Sequence, residues 1–92
     1  MKKTIYTLSH EARGDIDYTA HSFEKDEIVA AYRKELFYLT ESEKKTHVVE
    51  IEVREAEVLD GETAQDAFDR LMDEDEHFAD CNILDVKGEC DE

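Results

Sequence analysis

Ninety-two residues suffice for one domain and not for two. The 11 Lys and Arg against 26 Asp and Glu give a formal net charge of −15. A chain this acidic does not coat nucleic acid, where cations must neutralise phosphates, nor adhere to an anionic membrane surface. No apolar run approaches the ~18 residues of a membrane-spanning helix, and no apolar leader core follows Lys2 and Lys3. The expectation is a soluble, cytoplasmic protein: one domain over residues 1–92, with a frayed acidic end from about residue 88. Its partner is either positively charged or absent.

In chain order, Thr4 to Ser9 is rich in β-branched and aromatic residues and puts Tyr6 and Leu8 on one face, the pattern of a strand. Arg13-Gly14-Asp15 predicts a turn, with Gly14 free to take positive φ. Ile16, Tyr18 and Ala20 alternate with Asp17, Thr19 and His21 and predict a second strand, so the chain opens with a hairpin. Ser22 is the candidate N-cap of a helix over about Glu24–Leu39. Ile28, Val29, Tyr32, Leu36 and Leu39 recur three and four residues apart and give it one buried face. Glu41 to Lys45 reads as a polar loop.

His47 to Leu59 is the longest strand signal, with Val49, Ile51 and Val53 alternating with Glu50, Glu52 and Arg54. The apolar parity then slips to Ala56 and Val58, which predicts a bulge near Arg54-Glu55. Asp60-Gly61 is a turn. Thr63 with Asp66 resembles a capping box at the start of a second helix. Ile83, Leu84 and Val86 suggest a short last strand. The order β-β-α-β-α-(β) predicts an α+β fold, a small antiparallel sheet covered by two helices on one face.

Charge is distributed unevenly. Residues 1–54 hold eleven acids and nine bases, whereas residues 55–92 hold fifteen acids against Arg70 and Lys87. In the second helix, Ala64, Ala67, Phe68, Leu71 and Met72 cover one face at 100° per residue. Glu62, Asp66, Asp69, Asp73, Glu76 and Asp80 fall on nearly the opposite side, with Glu74 and Asp75 as secondary members. Carboxylates three and four apart stand roughly 5–6 Å apart, close to the spacing of phosphates along one strand. Such a row costs folding stability, since like charges at that spacing repel by a few tenths of a kcal/mol. Two readings stay open at this point: a solubilising acidic helix, and a surface shaped to meet cations on a partner. A break near Glu74 would scatter the later carboxylates, because Asp75 would otherwise point toward the apolar side.

Catalytic and metal chemistry find little support. Asp73 to Glu76 lacks the spacing of a calcium loop. His77, Cys81 and Cys90 make three soft ligands where structural zinc wants four with paired cysteines. A thiolate is disfavoured among so many carboxylates, and no nucleophile elbow, phosphate loop or zinc-protease motif occurs. No cofactor, no metal and no enzyme activity are expected. Cys81 and Cys90 are expected to stay reduced in a cytosolic chain, although a bridge across that short loop could form under oxidation. Phe37 and Tyr38 are neighbours on the first helix, and one of them is expected at its edge or in a contact between two copies.

In type the chain resembles the short acidic proteins of bacteriophages and mobile elements, the anti-CRISPR and anti-restriction inhibitors. The likeness rests on its length, its acidic second half and its opening of hairpin plus helix from Lys2 to Leu39. The resemblance implies a non-enzymatic inhibitor that presents carboxylates where phosphates would lie. Its partner would be a basic nucleic-acid-binding protein such as a CRISPR effector, met by Glu62, Asp66, Asp69, Asp73, Glu74, Asp75, Glu76 and Asp80. The alternative expectation is an acidic structural or regulatory accessory protein, a homodimer packed through the first helix.

Overall fold

A computed structural model describes residues 1–84 of the chain. Two long strands, β1 (Lys2–Ala12) and β2 (Asp15–Ser22), form the hairpin. Arg13 and Gly14 connect them, both at positive φ (57° and 87°), the backbone that a two-residue turn between twisted strands requires. Helix α1 (Lys25–Tyr38) and the short helix α2 (Glu41–Thr46) lead to β3 (His47–Glu57), and α3 (Ala64–Glu74) and β4 (Asn82–Ile83) follow. The sheet is antiparallel in the order β2-β1-β3-β4, so β1 is central and pairs along its whole length with β3. This is an α+β fold with a small sheet, and no helix among the described residues is long and apolar enough to cross a membrane.

The helices do not share one face, as the sequence pattern suggested. Leu8, Ile28, Val29, Val49 and Ile51 form one buried cluster, with Tyr6, Ala20, Tyr32, Leu36 and Leu39 packed around it. Ile5, Ala56, Val58, Ala64, Ala67, Phe68 and Phe78 form a second. Residues opposite one another in register share a face, and neighbours along a strand alternate. Leu8 and Ile51 therefore lie under α1, while Ile5 and Ala56 lie under α3 on the other side. The parity slip after Val53 has the same cause. The register from Lys2↔Glu57 to Ala12↔His47 is unbroken, so there is no bulge near Arg54-Glu55; the apolar side changes because the covering helix changes. The bulge lies instead between β1 and β2, where the step from Leu8↔Ala20 to Ser9↔Tyr18 leaves Thr19 as the extra residue.

Local signals explain most of the remaining boundaries. Ser22 is not the N-cap residue of α1, a position held by Glu24 without a side-chain cap. Its hydroxyl nevertheless accepts from the Glu24 amide at 2.9 Å and donates to Glu27 Oε1 at 2.6 Å. The stretch expected to be a loop is α2, closed by a full capping box. Thr40 Oγ1 accepts from Glu43 N, and Glu43 Oε1 accepts from Thr40 N. Glu41 and Glu43 in its first turn and Lys44 and Lys45 in its last complement the helix dipole. The expected last strand is present only as Asn82–Ile83, with Leu84 N donating to Ile51 O; Val86 lies outside the described residues.

One charged side chain fixes α3 on its face of the sheet. Arg54 is only 5% exposed. It forms an ion pair with Glu52 at 2.7 Å and donates to the carbonyls of Phe78 (2.7 Å) and Ala79 (3.1 Å). Its guanidinium also lies over the rings of Phe68 and Phe78 at 5.1 and 5.4 Å. A desolvated cation of this kind is tolerated only with such a complement, and removing one member leaves its partner as an uncompensated buried charge. Arg54→Met is expected to lower stability by about 3–5 kcal/mol in urea denaturation. Combining it with Glu52→Gln should recover part of that loss. A single variant as stable as wild type would contradict the account.

Candidate functional site

The eight carboxylates singled out in the sequence all fall in the segment from Glu62 to Asp80, where Arg70 is the one base, giving a formal −7. They do not form one straight row. Helix α3 ends at Glu74, and Asp75 is its C-cap, with an extended backbone and its Oδ1 accepting from His77 N at 2.9 Å. Residues 76–79 form a turn that buries Phe78 into the second core cluster. The expected 21 Å stripe thus contracts to Asp66, Asp69 and Asp73 on the helix, about 10 Å of axis. That length matches roughly three phosphates of a strand rather than six. Glu76 and Asp80 continue the acidity on the turn, in a different geometry.

Glu62 and Glu74 have other roles. Glu62 bends back to accept from Leu59 N at 3.0 Å and grips Arg70, with Nε at 2.8 Å and Nη2 at 3.0 Å. Arg70 also donates to Glu57 O and lies 3.6 Å from Glu74. These contacts close the loop before α3 onto the helix itself, and they engage the only cation of the segment. Asp66, Asp69, Asp73, Glu76 and Asp80 remain exposed, with no ion-pair partner among the described residues. The apolar side of α3 is as expected: Ala64, Ala67 and Phe68 are buried, with Leu71 and Met72 packed against the same cluster.

His21 connects this helix to the hairpin. Its ring packs on Phe68 with centroids 4.4 Å apart, and its Nδ1 lies 3.0 Å from Thr7 Oγ1. Sequence reading gave His21 no role, because its neighbours come from three separate elements. Another histidine group holds α1 to the opposite face. His10 Nδ1 is 2.7 Å from Glu35 Oε2, and His10 Nε2 is 2.7 Å from His47 Nδ1. With both Nδ1 atoms protonated, this is a one-directional chain ending on the carboxylate.

The soft-ligand trio does not assemble as spaced. His77 and Cys81 lie beyond the end of α3, both exposed, so they are not one helical turn apart. Cys90, and with it any bridge to Cys81, lies outside the described residues. Among the described residues, no three His, Cys, Asp or Glu side chains converge on a metal position. Burial, and next the Glu52 charge, push the Cys81 thiol up, away from the thiolate that nucleophilic chemistry needs. An open cleft of about 400 Å³ adjoins it, lined by Val53, Arg54, Glu55, Asp80, Cys81 and Asn82. Arg54 turns its charge inward, and Glu55 and Asp80 are the two carboxylates of the lining.

Two surfaces stand out as apolar. Phe37 and Tyr38 at the end of α1 are 81% and 70% exposed, stacked edge to face at 5.5 Å, so both, rather than one, are left uncovered at the helix end. The second surface is the half of the sheet that α3 leaves uncovered, carrying Ile16, Tyr18 and Val48. The expected apolar row Ile16, Tyr18 and Ala20 is split by the bulge at Thr19, which leaves Ile16 and Tyr18 on this face and turns Ala20 to the α1 cluster. Comparison of the chain with protein-family models, curated proteins and solved structures finds no match.

Two titrations test this arrangement. Hydrogen bonds from Arg70 and from the Leu59 amide hold Glu62 down from 4.5 to about 2. A depressed carboxylate contributes stability that is present above pH 4.5 and lost as pH falls toward about 2. Glu62→Gln should therefore flatten the acid loss of stability across that window; an unchanged slope would contradict the clasp. Burial lowers the His21 pKa from 6.5, with Asp69 opposing it. Its contribution is complete above pH 6.5 and declines below. In an NMR titration its midpoint should lie below 6.5 and fall further in Asp69→Asn. A midpoint unaffected by Asp69→Asn would separate that carboxylate from the histidine.

Proposed function

We propose that this chain is a non-enzymatic inhibitor that binds a basic nucleic-acid-binding protein and occupies the surface where nucleic acid would lie. The supporting observation is the set of five exposed carboxylates on α3 and the turn after it, Asp66, Asp69, Asp73, Glu76 and Asp80, with no ion-pair partner among the described residues. Among the described residues, the two arginines packed with α3 are engaged internally, Arg54 in the core and Arg70 with Glu62 and Glu74. The opposite layer has no such excess: α1 carries three acids and three bases, and α2 two of each. A single-sign face of this kind steers encounter with a cationic groove and competes for the same lysines and arginines that bind phosphates. In line with the resemblance to phage inhibitors, the proposed place of action is the cytoplasm of a bacterial host and the proposed target a CRISPR effector. The shortened carboxylate row supports a match to a cationic patch more than to the repeat of a long duplex.

A second reading is favoured by the exposed Phe37–Tyr38 pair: an accessory homodimer joined through α1, its charge serving solubility. One triple variant discriminates. Asp66→Lys, Asp69→Lys and Asp73→Lys together should leave the far-UV CD spectrum intact and weaken binding to a captured basic protein by roughly a hundredfold, at about 1 kcal/mol per position. Wild-type binding should also weaken steeply as salt rises toward physiological strength. A triple variant that binds as well as wild type would reject the inhibitor reading. A dimer by light scattering that ignores basic proteins would favour the accessory one.

A further inference from the structure

Helix α3 covers only part of its face of the sheet. Strand register sorts the residues facing that side into rows. Ile5 with Arg54, and His21 with Thr7 and Glu52, carry the contacts with α3 and the turn after it. Tyr18, Ser9 and Glu50 form the next row, and Ile16, Glu11 and Val48 the last. Ile16 and Val48 are 47% and 46% exposed, each the second residue of its strand, at the hairpin-turn end of the sheet. The Tyr18 ring packs on Phe68 with centroids 5.0 Å apart, so this open half-sheet is continuous with the α3 layer. Every charge in the two rows is negative, Glu11 and Glu50. Arg13 in the hairpin turn is the nearest base in sequence.

We infer that the uncovered half-sheet is a docking surface for a cationic protein, with Ile16, Tyr18 and Val48 as apolar anchors. Glu11 lies between Ile16 and Val48 on β1, Glu50 is on β3 two residues from Val48, and the α3 carboxylates form the acidic border. The inference rests on the functional reading above and adds what charge alone cannot supply, a contact that resists salt. Interfaces hold chiefly through a few desolvated apolar and aromatic side chains, with charges at the rim setting partner choice and encounter rate. The occupant follows from complementarity. A second copy would bring Glu11 and Glu50 against like charges in a desolvated contact, whereas a basic protein with an apolar residue among its lysines satisfies both components.

The test uses two synthetic peptides of equal positive charge, an oligolysine and a peptide of lysines interrupted by tryptophan. Wild-type chain should bind the lysine–tryptophan peptide about tenfold more tightly, with amide shifts concentrated at residues 16–18 and 48–50. Ile16→Thr with Val48→Thr keeps β-branched side chains in both strands; it should abolish that preference while leaving oligolysine binding unchanged. Asp66→Lys, Asp69→Lys and Asp73→Lys together should weaken both peptides. Equal wild-type affinity for the two peptides, or a preference that survives the threonine substitutions, overturns the half-sheet inference and leaves the α3 reading standing. Undiminished oligolysine binding by the lysine variant removes the α3 reading itself. A wild-type dimer that the threonine substitutions dissociate would make a second copy the occupant and overturn the inference as stated.

Discussion

The buried guanidinium of Arg54 is the constraint that organises the acidic side of this protein. Placed in the middle of β3 with almost no access to solvent, it must find its complement within the fold. Glu52 supplies the charge, Phe68 and Phe78 supply ring faces, and the carbonyls of Phe78 and Ala79 accept its protons. Most of these partners come from α3 and the turn after it. The chain therefore leaves the helix at Glu74 and folds back, and the polar side of α3 is directed away from the sheet. The cation that orients the helix is thus hidden beneath it, and Asp66, Asp69 and Asp73 above have no ion-pair partner among the described residues.

This coupling also explains which features were legible in the sequence. Helix α1 was readable because its apolar spacing is local, and Ile28, Val29, Tyr32, Leu36 and Leu39 all face the first core cluster. The hairpin was readable because Gly14 and the alternation around it are local as well. The end of α3 was only suspected, from Asp75 falling on the apolar side, because its cause is a contact between Arg54 and carbonyls 24 and 25 residues away. The placement of helices on opposite faces was misread for a similar reason. Alternation in β3 was assigned one wet face, although Ala56 and Val58 carry the opposite parity from Val49 and Ile51. A strand that is apolar on one parity at its start and the other at its end is covered from two sides in turn. Helix α2 has no apolar periodicity to reveal it; its one local signal is the Thr40–Glu43 capping pair.

The candidate surface changes character in the same way. As a sequence it is a ruler of six carboxylates along one helix; as a structure it is a cluster of three on α3 with two more on a turn. Glu62 is withdrawn to hold Arg70, and Glu74 lies beside that arginine. The carboxylate row is too short to follow a long phosphate repeat, while the acidity is concentrated on α3 and the turn after it and α1 and α2 are balanced. Field, rather than repeat distance, is what such a surface offers a basic partner. The open half-sheet beside it supplies apolar area that charge alone lacks.

The account turns on which layer meets the partner. Zero-length carbodiimide cross-linking joins a carboxylate to a lysine only when the two are in contact, and mass spectrometry then identifies both. Applied to the chain in complex with the basic protein it captures, it should join partner lysines to Asp66, Asp69, Asp73, Glu76 or Asp80. Cross-links confined to Asp26, Glu27 and Glu41, on α1 and α2, would place the partner on the other side of the sheet and contradict the account.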